Sequence, residues 1–405
     1  MQATVRFAAL ATAIALTATG CGGAVSGGDG GGDDGGGGSD EPITIGVLAD
    51  LTGATGDVGT PYNQGMLAYV DYINAKGGIE GRQIEAMSND YAYKVPDAEA
   101  LYRKYLTDGA VAIQGWGTGD SEALRSKVAE DELPFMSASY AEVLTDVKES
   151  PYNFVVAPTY SDQMRVALDW IAKDAGGPAQ VAVFHNDSPF GTAPVADGKT
   201  WVAEKGYPLG YTAYPMPKTP NFVGLLTQAQ AQGAKYIVIQ NVSSPAAQVA
   251  KDIAAQGLDM KIVCLNWCSD ELFVKTAGAA AEGHVMVQPF APPSAEKAGH
   301  EEITKYLESK GEKLSDKGLH FVQGWWTMAV MAEGFKKVLA DGGDLTGPAI
   351  RKALETMGPV DTGGVVGSGE IEFSADSHRG STGSGLYTVK GGQLVELAAN
   401  VTPKS

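Results

Sequence analysis

The sequence predicts an α/β protein built as two similar lobes. Three observations carry that expectation. At 405 residues the chain is long for one average domain and comfortable for two. From Glu41 onward, short β-branched runs alternate with amphipathic helical stretches, the pattern of parallel sheets covered by helices on both faces. The rhythm runs once to about residue 158 and then begins again, with no short-period repeat.

The first run opens with a strand at 43–48. A Gly- and Thr-rich loop follows, and Thr60-Pro61 reads as an N-cap with proline in the first turn. Met66, Leu67, Val70 and Ile73 recur at helical spacing until Gly77-Gly78 stops the helix. Strands at 84–87, 111–114 and 134–137 then alternate with helices at 98–106 and 121–131. The second run pairs helices at 161–173, 193–204, 222–232 and 246–256 with strands at 181–184, 210–214, 236–239 and 261–265. Helices at 301–309, 321–339 and 348–356 and strands at 284–287, 369–373 and 386–389 complete the two lobes.

Composition narrows the function. Hydrophobic residues make up 44% and charged residues 19%, which suits a folded globular body. The net charge is −18, with 30 basic against 48 acidic residues, so a polyanion is repelled and nucleic acid is not an expected partner. His185-Asn-Asp187-Ser188 gathers the residue types of a hydrolytic triad, but neighbours on one loop rarely reach that geometry, and turn formation explains them better. With no nucleophile elbow, zinc-protease helix motif or Walker loop, no enzyme activity and no cofactor are expected.

Residues 1–20 read as a secretory signal, with Arg6 ahead of an apolar stretch from Phe7 to Ala18. Ala18-Thr19-Gly20-Cys21 puts small residues before a cysteine, as in the bacterial lipobox, so Cys21 is the expected lipidation site; an ordinary cleaved signal is the alternative. Residues 21–41 are then a lipid-anchored linker, almost wholly Gly, Asp and Ser and unable to offset their chain entropy by burial. The expected location is outside the cytoplasm, tethered to the outer face of the cell membrane or periplasmic. Cys264 and Cys268 lie four apart, and an oxidising compartment permits a bridge if the segment turns; two separate thiols are the alternative. No metal site is expected from so few ligands.

In open parallel sheets, ligands sit beyond the carboxyl ends of the strands. That rule selects loops at 49–60, 115–121, 137–141, 186–191, 241–245 and 265–270, drawn from both halves, and places a small ligand between the lobes. Gly115, Gly117 and Gly119 lack the spacing of a dinucleotide fingerprint.

The stretch Asn74-Ala-Lys-Gly-Gly-Ile-Glu-Gly-Arg82 resembles a motif of branched-chain amino-acid binding proteins, of the periplasmic-binding-protein type I family. Leu51-Thr52-Gly53, Asp90 with Pro96, Gln114-Gly115, the 134–137 strand, Gln163, Phe190-Gly191 and Ala281-Glu-Gly283 continue the likeness over about 42–395. The resemblance implies two hinge-linked Rossmann-like lobes, one of 42–158 plus 289–362 and the other of 159–288 plus 363–400. It implies the solute-binding component of an ABC importer, with an ABC permease as partner and an amino acid or similar small molecule as ligand. A ligand-sensing receptor module is the alternative role, and an aromatic acid or short amide the alternative ligand.

By the same resemblance, a ligand carboxylate is met by the loops carrying Thr118, Gly119, Asp120 and Ser121 and Ser137, Ser139 and Tyr140, although Asp120 or Ser121 can equally cap the helix. Phe190 and Val242 come from the opposite lobe; simple packing is the other reading of Phe190. Trp267 stands where amino-acid-binding members place a glutamate for the ligand ammonium. Either Asp270 or Asp120 substitutes for that charge, or the ligand lacks an ammonium and Trp116, Tyr140, Phe190 and Trp267 box an aromatic acid or amide.

Overall fold

In the computed structural model, residues 41–367 and 369–404 are described. The expected signal segment, Cys21 and the linker up to residue 40 lie outside them. No helix among the described residues is long and apolar enough to cross a membrane.

The first lobe begins with β1 (Ile43–Ala49), α1 (Gly56–Ala75), β2 (Ile84–Asp90), α2 (Val95–Thr107), β3 (Ala112–Gly115), α3 (Thr118–Glu130), β4 (Phe135–Ser137) and β5 (Asn153–Phe154). Its five strands pair in parallel in the order β2-β1-β3-β4-β5. β1 is buried at almost every position, which is why it reads as an unbroken apolar run rather than an alternating one.

The second lobe takes up α4 (Tyr160–Ala175), β6 (Ala179–His185), α5 (Pro189–Thr192), α6 (Val195–Glu204), β7 (Leu209–Pro215), α7 (Val223–Ala231), β8 (Ala234–Gln240), α8 (Ser243–Ala255), β9 (Lys261–Cys264), α9 (Glu271–Ala277) and β10 (Val285–Gln288). The chain continues through α10 (Glu301–Ser309), α11 (Leu319–Ala340), α12 (Gly347–Thr356), β11 (Val360–Asp361), β12 (Glu370–Ile371), β13 (Ser384–Lys390) and β14 (Gln393–Val401). The second sheet runs β14-β13-β10-β9-β8-β6-β7, with β10 to β7 parallel and β13 and β14 antiparallel at the edge. Within it, β7-β6-β8-β9-β10 repeats the strand order of the first sheet. Separate apolar clusters cover its two faces.

α11 returns to the first lobe and packs on α1. Gly65 and Gly324 make the approach close: a Cβ on Gly65 would lie 2.0 Å from the Phe321 carbonyl oxygen, and one on Gly324 1.9 Å from that of Tyr62. Val365, Val366, Ile371 and Phe373 join the large apolar cluster of the first lobe, which also takes in Phe190, Val242 and Trp267 of the second. α4, which opens the second lobe, starts with a reciprocal cap: the Thr159 hydroxyl accepts from the Asp162 amide and the Asp162 carboxylate from the Thr159 amide.

Several expectations need correction. α1 starts at Gly56, ahead of the expected cap at Thr60, and Pro61 lies inside it. The cause is Asp50, buried at the end of β1, whose carboxylate accepts from the amides of Gly53 (2.6 Å) and Thr55 (2.9 Å) and turns the chain early. α3 likewise starts at Thr118 rather than 121. The expected strand at 369–373 shrinks to β12, while β14 was not anticipated. Its signal was the turn before it, where Gly391 and Gly392 both have positive φ, as a tight hairpin requires. Cys264 and Cys268 are free buried thiols, not a disulfide. Cys264 ends β9, and one turn later the Cys268 thiol is directed to the carbonyl oxygens of Ile239 and Leu265, each at 3.5 Å.

Candidate functional site

Both sheets turn the carboxyl ends of their strands toward one cleft. In each, the first strand has neighbours on opposite sides (β1 between β2 and β3, β6 between β7 and β8), so the following loops diverge and leave a crevice. The crevice wall comes from those loops. Thr55 and Val58 follow β1, Tyr93 follows β2, and Trp116, Gly117 and Thr118 follow β3. Tyr160, Phe190, Val242 and Trp267 face them from α4 and from the loops after β6, β8 and β9. The cleft is narrow as it stands, with a cavity of about 10 Å³ for the centre of a water-sized sphere.

Trp267 dominates the cleft. It lies on a short 3-10 turn, Asn266–Cys268, and crosses into the first lobe. There its indole stacks between Tyr140 (centroids 5.6 Å apart, planes at 20°) and His320 on α11 (5.1 Å, 27°). Trp116 and Tyr62 meet its edge at 4.9 and 6.0 Å. Its ring N–H donates to the Tyr160 hydroxyl at 2.9 Å. Trp116 is held in turn: its N–H donates to Thr55 Oγ1 (2.9 Å), which donates to Asp50 (2.6 Å).

Polar links cross between the lobes. The Gln323 side-chain amide donates to Asn266 Oδ1 at 2.6 Å, and the Leu319 backbone amide to Glu271 at 3.0 Å. The amide and hydroxyl of Ser244, at the start of α8, donate to Asp57 of α1 at 3.2 and 2.7 Å. His320 of α11 donates from Nε2 to Asp270 at 2.8 Å, while its Nδ1 meets Gln323 Oε1 at 2.6 Å. Burial works against charge on His320, but the Asp270 bond and charge and the Gln323 acceptor outweigh it and hold the pKa above the usual histidine value. Both ring nitrogens face acceptors, the arrangement of an imidazolium.

The expected site residues, Asp270 aside, fall into two groups. Thr118, Phe190, Val242 and Trp267 line the cleft. Gly119, Asp120, Ser121, Ser137, Ser139 and Tyr140 form the layer behind it. A hydroxyl ladder runs through that layer: Thr118 to Ser139 (2.7 Å), the Ser139 amide to Ser137 (2.8 Å), and Ser137 to Ser121 (2.9 Å). Gly119 faces Pro189 of α5, across the lobes. Asp120 accepts from the Tyr91 hydroxyl at 2.7 Å through one oxygen, and its other oxygen is buried without a partner. Burial, only partly offset by Tyr91, raises its pKa to about 7. Asp270 lies apart from the cleft wall. It caps α9 through the Phe273 amide (2.7 Å) and accepts from Ser243 (2.5 Å) and His320, so no oxygen is left for a ligand ammonium.

Sequence reasoning placed Thr55, Val58 and Gly117 only within broad loops and missed Tyr93 and Tyr160 as wall residues. Tyr160 was hidden because a helix start gives no sign that its hydroxyl reaches a loop more than a hundred residues later. Nothing near His320 marked it as the partner of Asp270, fifty residues away.

Taken together, two doubly wound lobes with a shared crevice at their strand-switch points define a two-lobed ligand-binding protein. The family model described as periplasmic binding protein matches residues 42–393, and the chain belongs to that family. Among relatives, it is 21% identical over 299 residues to a leucine-, isoleucine-, valine-, threonine- and alanine-binding protein of Pseudomonas aeruginosa, covering 73% of this chain and 79% of that one. Among solved structures, a branched-chain amino acid ABC transporter protein of Thermus thermophilus with bound valine superposes with a TM-score of 0.84 at 23% identity, over 89% of this chain and 96% of that one. An ABC transporter substrate-binding protein of Aeropyrum pernix gives 0.83 at 26% identity, over 90% and 96%.

Proposed function

We propose that the protein is the extracytoplasmic solute-binding component of an ABC importer. It captures a small polar organic molecule, an amino acid or a related acid or amide, between its lobes and presents the closed form to a permease. One observation carries this reading: a single cleft is walled by strand-end loops of both lobes, and side chains of each lobe bond across it. The related proteins named for amino-acid binding and for ABC transport support it. In this reading the ligand is held by Thr118, Phe190, Val242 and Trp267 at the wall, backed by the serine ladder, and no catalytic step is involved. Cys21 tethers the body to the outer face of the membrane, and the lobes are 42–158 plus 289–362 and 159–288 plus 363–400.

A thermal-shift screen of amino acids, aromatic acids and short amides tests it, with small-angle scattering on any hit. A ligand at a hundred times its dissociation constant adds about 2.7 kcal/mol of stability. The expected result is a raised melting temperature together with a more compact form. A screen in which no solute changes either quantity would sink the proposal.

A further inference from the structure

The geometry points to a ligand class for this cleft: a flat, mostly apolar carboxylate or amide that bears no positive charge, in preference to a zwitterionic amino acid. The inference rests on the solute-capture reading and narrows it.

The wall has no ionised side chain. Its polar members are Thr55, Thr118, Tyr93 and Tyr160 and the backbone at Gly117; the rest are aromatic or aliphatic. An ammonium moved from water into such a wall loses its hydration and finds no carboxylate in return. Ring faces give a cation only partial compensation.

Most carboxylates near the cleft are committed elsewhere. Asp50 holds Gly53 and Thr55, and Asp270 holds Ser243, Phe273 and His320. Asp57 holds Ser244 through Oδ2 alone; its Oδ1 has no partner, but Asp57 is not among the residues of the wall. Asp120 keeps one unpartnered oxygen, but it lies behind the wall, and burial leaves it uncharged in much of the molecules near neutral pH.

What charge bias exists runs the other way. α3 begins at Thr118 in the wall, and the amides of a helix's first turn have no partner within the helix and favour an acceptor. The His320 ring, with both nitrogens donating, stacks against the back of Trp267. Trp116 stands edge-on to Trp267 at 64°, and Phe190 to Tyr160 at 62°; with Tyr93 these rings make up much of the wall, a lining that favours a flat apolar body through aromatic contacts.

The test uses the full mature protein and matched probes in calorimetry at pH 7. Phenylalanine is compared with 3-phenylpropanoate and valine with 3-methylbutanoate, pairs that differ in the ammonium alone; benzylamine is the cation control. The expected result is that the deaminated member of at least one pair binds tenfold or more tightly than its amino acid, with no binding of benzylamine. Equal or tighter binding of the amino acids, or binding of benzylamine, overturns the ligand class and leaves solute capture standing. Failure of all five probes at millimolar concentration also overturns the class. Only a failure of every solute in the wider screen to close the lobes removes the capture reading with it. A Trp267→Glu variant gives a second readout. Placing a carboxylate in the wall should shift preference toward the amino acid of each pair by tenfold or more, and an unchanged preference counts against the assignment.

Discussion

Asp120 is buried at the start of α3, with one oxygen on Tyr91 and the other on nothing. In the unfolded chain it loses its proton near pH 3.8, but in the fold only near 7. A carboxyl whose folded pKa is raised weakens the fold as pH climbs through that interval, because the unfolded state ionises first. Asp120→Asn keeps the Tyr91 contact and removes the titration. The variant should therefore lose less stability than the wild type between pH 4 and 7, by roughly a few kcal/mol at most. Chemical denaturation at several pH values measures this; parallel curves for the two proteins would refute it.

Helix packing depends on single glycines that no periodicity rule could rank. Gly65 on α1 and Gly324 on α11 each lie against a backbone carbonyl of the other helix, so a methyl group cannot be absorbed by a side-chain rotation. Gly65→Ala should cost about 1–3 kcal/mol through forced separation of the helices. By contrast, Gly224 in α7 has open space where its Cβ would be, and Gly224→Ala should leave stability unchanged or slightly raised, since alanine favours a helix. Melting temperatures of the two variants check both statements. A harmless Gly65→Ala would mean the α1–α11 contact is looser than its geometry.

The closed arrangement of the lobes depends on links that include Ser244 with Asp57, His320 with Asp270, Gln323 with Asn266, Leu319 with Glu271, and Trp267 between Tyr140 and His320. His320 has its folded pKa raised, so the stability it adds is complete below about pH 6.5 and is lost as pH rises through the raised value. His284 and His300 oppose this at the acid end. Burial lowers both to about 4, and the stability from keeping them neutral is complete above about 6.5 and fades as pH falls toward 4. Closure should therefore loosen on the alkaline side. His320→Gln, which cannot be an imidazolium, should remove the alkaline change in scattering-derived radius. An unaltered pH profile in that variant would exclude His320 as its source.

Much of this architecture was legible before any coordinates. Alternation of apolar strands with amphipathic helices, run twice, determined the two lobes, because strands buried on both faces need apolar residues at nearly every position and helices need only a stripe. The strand-end rule then marked the loops of Thr55, Trp116, Thr118, Phe190, Val242 and Trp267, since sheet topology decides which loops diverge. Tertiary structure alone decided how those residues meet. The roles of Asp270 as a cap and latch, of Trp267 as an indole seated in the opposite lobe, and of His320 as its stacking partner depend on lobes joined at a distance. Hydrogen bonds and ring contacts between residues fifty or more positions apart leave no trace in local periodicity. The charge of the cleft was likewise undecided until burial and pairing showed which carboxylates were already engaged.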